Sequence, residues 1–186
     1  KDEEKELIND DFICTVGRLD EGQKDFMTLI NAYEFLYKNN KIKEKLYIIG
    51  DGPSKNDLIN VVKQKNLEQN ILFLGKKLNP YIWMRKAKIF ILSSKFEGFG
   101  LVLVEAMACE TFVISSSCKT GPKEILCSGE CGDLFEVGHV QELANKIEYA
   151  LNDNEYRLNK IIKAKERIKE FDKEVVLKEI QILLEV

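Results

Sequence analysis

Three observations predict an α/β domain with a doubly wound, parallel, six-stranded sheet and helices on both faces. Six short runs rich in Val, Ile, Leu and Phe recur along the chain, continuously apolar rather than alternating, as strands covered on both sides are. The gaps between several of them place apolar residues at helical spacing. Four of the runs end at Gly17, Gly50, Gly75 and Ser94, where a turn would follow.

FICTVG (12–17) is the first strand. DFMTLINAYEFLYKNN (25–40) follows as a helix, with Phe26, Leu29, Ile30, Tyr33 and either Leu36 or Tyr37 on one stripe. KLYIIG (45–50) is the second strand, and SKNDLINVVKQKN (54–66) the helix behind it, with Ser54 near its cap. NILFLG (70–75) leads into NPYIWMRKAK, where Pro80 suits a helix start. KIFILSS (88–94) is followed by the helix LVLVEAMA (101–108), and TFVISS (111–116) and GDLFEV (132–137) complete the sheet. HVQELANKIEYALND, EYRLNKIIKAKERIKEF and a last helix from Asp172 read as cover and a return path.

Strand, helix and strand repeated this way need right-handed crossovers, giving a Rossmann-like open sheet whose ligands sit beyond the carboxyl ends of the strands. The loops after Gly17, Gly50, Gly75 and Ser94 should therefore share one rim. The expected organisation is a charged linker or start over 1–10, the nucleotide-binding sheet domain over 11–152, and helices over 153–186. KDEEKELINDD at the start has no initiating Met and reads as part of something longer.

With 186 residues, 45% of them hydrophobic, the chain can bury the core of one domain. A formal charge of -3 offers neither a nucleic-acid groove nor a broad membrane-binding face. The five cysteines are odd in number and sit beside apolar strands, as reduced thiols of a cytoplasmic protein would. Cys127, Cys131 and His139 lack a second paired motif and a fourth ligand, so no metal is expected. No apolar run approaches bilayer length, and there is no signal peptide.

Arg18 and Lys24 flank the first rim loop, GRLDEGQKD, and suit a diphosphate because Arg forks two oxygens while Lys supplies a compact charge. The alternative is a pair of surface charges partnered by Asp20 or Glu21. GDGPS is explained by turn punctuation. SKFEGFGLVLVEAMA is the most specific stretch. Gly98 and Gly100 let the backbone approach a ligand, and the free N–H groups from Phe99 through Gly100 and Leu101 to Val102 would face a phosphate. Glu97 and Glu105 could accept from sugar and ribose hydroxyls on either side of a diphosphate, the shape of a nucleotide sugar. Alternatively Glu97 is a helix cap and Glu105 pairs with Arg18 or Lys24. Glu105 stands among Val102, Leu103, Val104, Ala106 and Met107, where an unpaired acid is costly.

GRL with a lysine six after the arginine, then IIGDGP, FLGKK, a strand ending in SS, EGFGLVLVEAMA, FVIS and GPKEIL occur in the order of the large retaining glycosyltransferase family four. The chain resembles the C-terminal, donor-binding half of that two-domain fold, called GT-B, from about Phe12 to about Leu151. The resemblance implies that Arg18 and Lys24 hold the donor diphosphate, that Glu97 contacts sugar hydroxyls beside the Phe99 and Gly100 backbone, and that Glu105 binds the ribose. Gly75 and Lys76 would flank the base. It further implies transfer of a hexose or N-acetylhexosamine from a nucleoside diphosphate sugar, a UDP-sugar foremost, with no metal and no other cofactor. The acceptor would be a glycan or a polyprenyl-linked one, bound through the N-terminal half at the inner face of the membrane. Glu110 replaces a usual glycine, Thr120-Gly121-Pro122 replaces a Gly-Gly pair as in a bacterial surface-polysaccharide and lipid-linked-oligosaccharide branch, and His139, an exposed cap, replaces a common Asp. Rival classes are a non-catalytic sugar-nucleotide-binding module and an epimerase or phosphorylase on the same fold.

Overall fold

The computed structural model describes residues 11–171. All six apolar runs are strands: β1 (Phe12–Val16), β2 (Lys45–Ile49), β3 (Ile71–Gly75), β4 (Ile89–Leu92), β5 (Phe112–Ser116) and β6 (Asp133–Phe135). They form one sheet in the order β3-β2-β1-β4-β5-β6, every pair parallel. The continuous apolarity has its reason in the two-sided burial. Ile13, Leu46, Ile48, Ile89 and Ile91 enter one core cluster, while their neighbours Cys14, Tyr47, Ile49, Phe90 and Leu92 enter the other.

The first cluster is closed by α2 (Phe26–Lys38), α3 (Lys55–Gln64) and α7 (Val140–Asn152). Leu36, not Tyr37, completes the buried stripe of α2, because Tyr37 turns outward and is 40% exposed. The second cluster is closed by α4 (Tyr81–Lys86), α5 (Leu101–Ala108), α6 (Pro122–Ile125) and α8 (Asn154–Arg167), the last continued by a 3-10 turn over Ile168–Phe171. Each fully buried Leu, Ile or Phe contributes roughly 1.5–3 kcal/mol by leaving water, so both faces are needed to hold the sheet. α8 packs on the second cluster through Ala164, and the turn after it through Ile168 and Phe171. The helix expected from Asp172 lies outside the described residues, as does the segment before Asp11.

Two local features differ from the sequence reading. The first rim loop contains a one-turn helix, α1 (Glu21–Lys24), capped by the Asp20 side chain accepting from the Gly22 N–H and ended by Asp25 in the left-handed region. Ser54 precedes α3 but makes no cap hydrogen bond there; its hydroxyl instead accepts the Glu21 N–H at 3.0 Å, stapling the second rim loop to the first.

Candidate functional site

Strand order decides where a ligand can go. From β1 the chain proceeds to β2 on one side, and from β4 to β5 on the other, so the loops after β1 and β4 diverge and leave a crevice between them. The Arg18–Lys24 loop and the SKFEGFG loop are the two lips of that crevice. Gly17 N–H donates to Ile49 O and Leu19 N–H to Asp51 O, both at 3.0 Å, and Gly50 N–H donates to Gly75 O at 2.9 Å, so the rim loops are bonded in series. The glycines of GDGPS serve this approach rather than a turn alone. A Cβ on Gly50 would stand 1.9 Å from Gly17 O, and one on Gly52 2.5 Å from Leu19 O.

The lips are stitched across the crevice. Ser93 Oγ donates to Lys24 O at 2.9 Å and Lys95 N–H to Gln23 O at 2.7 Å. At the centre Lys24 Nζ meets Glu97 Oε1 at 2.6 Å, with the side chains 14% and 7% exposed. Lys24 is thus partnered by neither Asp20 nor Glu21, and Glu97 does not act as the side-chain cap of α5. Gly100, at φ 95°, starts α5, and the first-turn N–H groups of Leu101 and Val102 have no partner within the helix. Leu101 is 67% exposed and Phe99 36%.

Arg18 is exposed on the β1 lip and lines a cleft of about 360 Å³ with Gly17, Gly50, Asp51, Lys76 and Pro80. Gly75 enters this side through its carbonyl bond to Gly50. The structure therefore brings Lys24 to Glu97 and Arg18 to Lys76. Glu105 is half-buried on α5, next to the buried face that Leu103, Ala106 and Met107 carry. Among the described residues no ion pair joins it to Arg18 or to Lys24.

The sequence reading missed Ser94 and Thr120, which hydrogen-bond Glu97 at its carboxylate and its carbonyl. The doubled serine and the Thr-Gly-Pro variant were visible, but nothing in either names a partner three or 23 residues away. Gly121 has φ 84°, and a Cβ there would come within 1.8 Å of Phe99 O, so this loop lies directly on the EGFG backbone. The five cysteines are free thiols. His139 is exposed and caps α7, accepting the Glu142 N–H at 3.1 Å. No three His, Cys, Asp or Glu side chains cluster to hold a metal ion among the described residues, and no described helix is long and apolar enough to cross a membrane.

Residues 1–167 match the family model described as glycosyl transferases group 1. The chain belongs to that family. Among curated glycosyltransferases it is 40% identical over 166 residues to the Campylobacter jejuni N-acetylgalactosamine-N,N'-diacetylbacillosaminyl-diphospho-undecaprenol 4-alpha-N-acetylgalactosaminyltransferase, a match covering 89% of this chain and 44% of that protein. It is 35% identical over 130 residues to the Bacillus anthracis N-acetyl-alpha-D-glucosaminyl L-malate synthase, covering 70% and 34%. A Staphylococcus aureus TarM variant solved with fondaparinux, alpha-GlcNAc-glycerol and UDP superposes with a TM-score of 0.85 at 26% identity, over 94% of this chain and 35% of that one. The chain spans about half or less of the length of these glycosyltransferase relatives. The doubly wound sheet is that of the GT-B enzymes.

Proposed function

We propose that this chain is the donor-binding half of a retaining glycosyltransferase that moves a hexose or N-acetylhexosamine from a UDP-sugar to a glycan or polyprenyl-linked acceptor. The observation that carries this reading is the Lys24–Glu97 pair at the switch point of the sheet. An ammonium has three N–H donors and a carboxylate two oxygens. Here Lys24 gives one donor to Glu97, which receives it on Oε1 alone, so both partners keep capacity for a ligand.

In this reading Arg18, the spare donors of Lys24 and the Leu101 and Val102 N–H groups stabilise the charge that develops on the leaving diphosphate. Glu97 holds sugar hydroxyls beside Phe99 and Gly100, Glu105 holds the ribose, and Gly75 and Lys76 flank the base. The bond from the anomeric carbon to the diphosphate breaks with its electron pair leaving on oxygen. The acceptor hydroxyl forms its bond on the same face, and its proton passes to that diphosphate oxygen. Retention agrees with the alpha linkage named for both curated relatives, since UDP-hexoses and UDP-N-acetylhexosamines of the common kind are alpha donors. The diphospho-undecaprenol named in the first relative supports a lipid-linked acceptor, which would place the complete protein at the inner face of the membrane.

Calorimetric titration of the protein with UDP, GDP and ADP tests the reading. UDP should bind selectively, and Arg18→Ala and Glu105→Ala should each weaken it roughly tenfold, the loss of one charge-assisted contact. Equal affinity in both variants, or no binding of any diphosphate at millimolar concentration, would overturn it.

A further inference from the structure

Glu97 has four polar groups: its N–H, its carbonyl, Oε1 and Oε2. Two of them, the carbonyl and Oε1, are already taken, by three different parts of the chain. Ser94 Oγ donates to Oε1 at 2.6 Å, beside the Lys24 ammonium on the same oxygen. Thr120 Oγ1 donates to the Glu97 carbonyl at 2.6 Å. Cys118, itself 3% exposed, donates to Thr120 O at 3.8 Å; burial first, and then the Glu97 carboxylate, push this thiol up. Of the two carboxylate oxygens, Oε2 has no hydrogen bond among the described residues.

This arrangement is anchored in the sheet. Ser94 is fully buried just past the end of β4, and its carbonyl accepts from Ser116 Oγ at 2.5 Å at the end of the adjacent β5. Thr120 follows four residues later on the loop whose Gly121 rests on the Phe99 carbonyl. A glutamate alone in a Gly-flanked loop would sample many rotamers. One whose Oε1 receives two donors and whose carbonyl is held by Thr120 presents a single free carboxylate oxygen in one direction.

We propose that Ser94 and Thr120 are positioning residues that aim Glu97 Oε2 at the donor's sugar, so that they set the affinity for the sugar moiety and not for the nucleotide. This rests on the donor-site reading above. Neither hydroxyl faces the Arg18 cleft, so neither has reason to affect UDP itself. A purely structural role would loosen the whole rim and weaken every ligand together.

The test compares UDP with UDP-N-acetylgalactosamine and UDP-N-acetylglucosamine on the wild-type protein and on Ser94→Ala, Thr120→Val and Thr120→Ser. The expected result is that Ser94→Ala weakens the tighter-binding UDP-sugar roughly tenfold, the value of a hydrogen bond to a charged group, while UDP stays within about twofold. Thr120→Val should cost the UDP-sugar about threefold, and Thr120→Ser should restore it. Because Thr120 is exposed, that pair of variants keeps the test alive if Ser94→Ala does not fold. Parallel losses of UDP and UDP-sugar, or no loss of either, overturn the positioning role while leaving the donor site standing. A wild-type protein that binds no UDP overturns the donor site and the positioning role with it.

Discussion

Two largely buried lysine–carboxylate pairs among the described residues have the same length and do different things. Lys160 on α8 meets Asp133 on β6 at 2.6 Å, with side chains 18% and 6% exposed; Lys24 meets Glu97 at 2.6 Å, 14% and 7% exposed. By distance and burial they are equivalent. By hydrogen-bond capacity they are not. Lys160 gives its three donors to Gly129 O, Gly132 O and Asp133 Oδ1, and Tyr156 adds its hydroxyl to the same carboxylate while its ring lies 4.9 Å from the ammonium. The Lys160 ammonium is saturated and fastens α8 to the β6 edge, while the Asp133 carboxylate takes both of its donors on Oδ1. Lys24 uses one donor, and Glu97 keeps one oxygen unbonded among the described residues. A buried ammonium with unspent donors, placed where the strand order reverses, is a site; one without them is a fastener.

The largest effect that can break this comparison is Lys160→Met. It strips one partner from a buried pair and leaves two carbonyls and a carboxylate short of donors, so chemical denaturation should show a loss of about 3 kcal/mol. UDP affinity should not move. Lys24→Met comes next and should do the reverse: UDP affinity falls tenfold or more in titration, while the stability loss stays below half that of Lys160→Met, because Lys24 serves one acceptor and Lys160 three. If Lys24→Met unfolds the protein as Lys160→Met does, or Lys160→Met weakens UDP equally, capacity is the wrong criterion.

Much of the sheet was legible because two-sided burial writes continuous apolar runs, and those runs end at the rim where Gly and Ser sit. The rim residues Arg18, Lys24 and Glu97 were legible for the same reason, since their places in the loops follow from the strand ends. What joins them was not. The bonds from Ser94 and Thr120 to Glu97 depend on β4 and β5 lying side by side and on the Thr-Gly-Pro turn folding back, which are facts of pairing and not of spacing. The burial of Glu105 was not legible either: its neighbours in sequence are apolar, but burial in a helix is decided at three- and four-residue spacing, and those positions leave it partly exposed.

The smallest effect concerns a residue outside both pairs. Glu110 ends α5 with φ 59°, a left-handed position that a glycine occupies without strain. Its side chain reaches Lys165 Nζ at 2.7 Å, but both are more than half exposed, and such a pair contributes little. Backbone relief should therefore outweigh the lost ion pair, and Glu110→Gly should raise Tm by about 2 °C. UDP affinity should be unchanged, since α5 begins at the crevice and ends away from it. A lower Tm would show that the α5–α8 link through Lys165 matters more than the turn, and that a third, exposed lysine–carboxylate pair belongs with the fasteners.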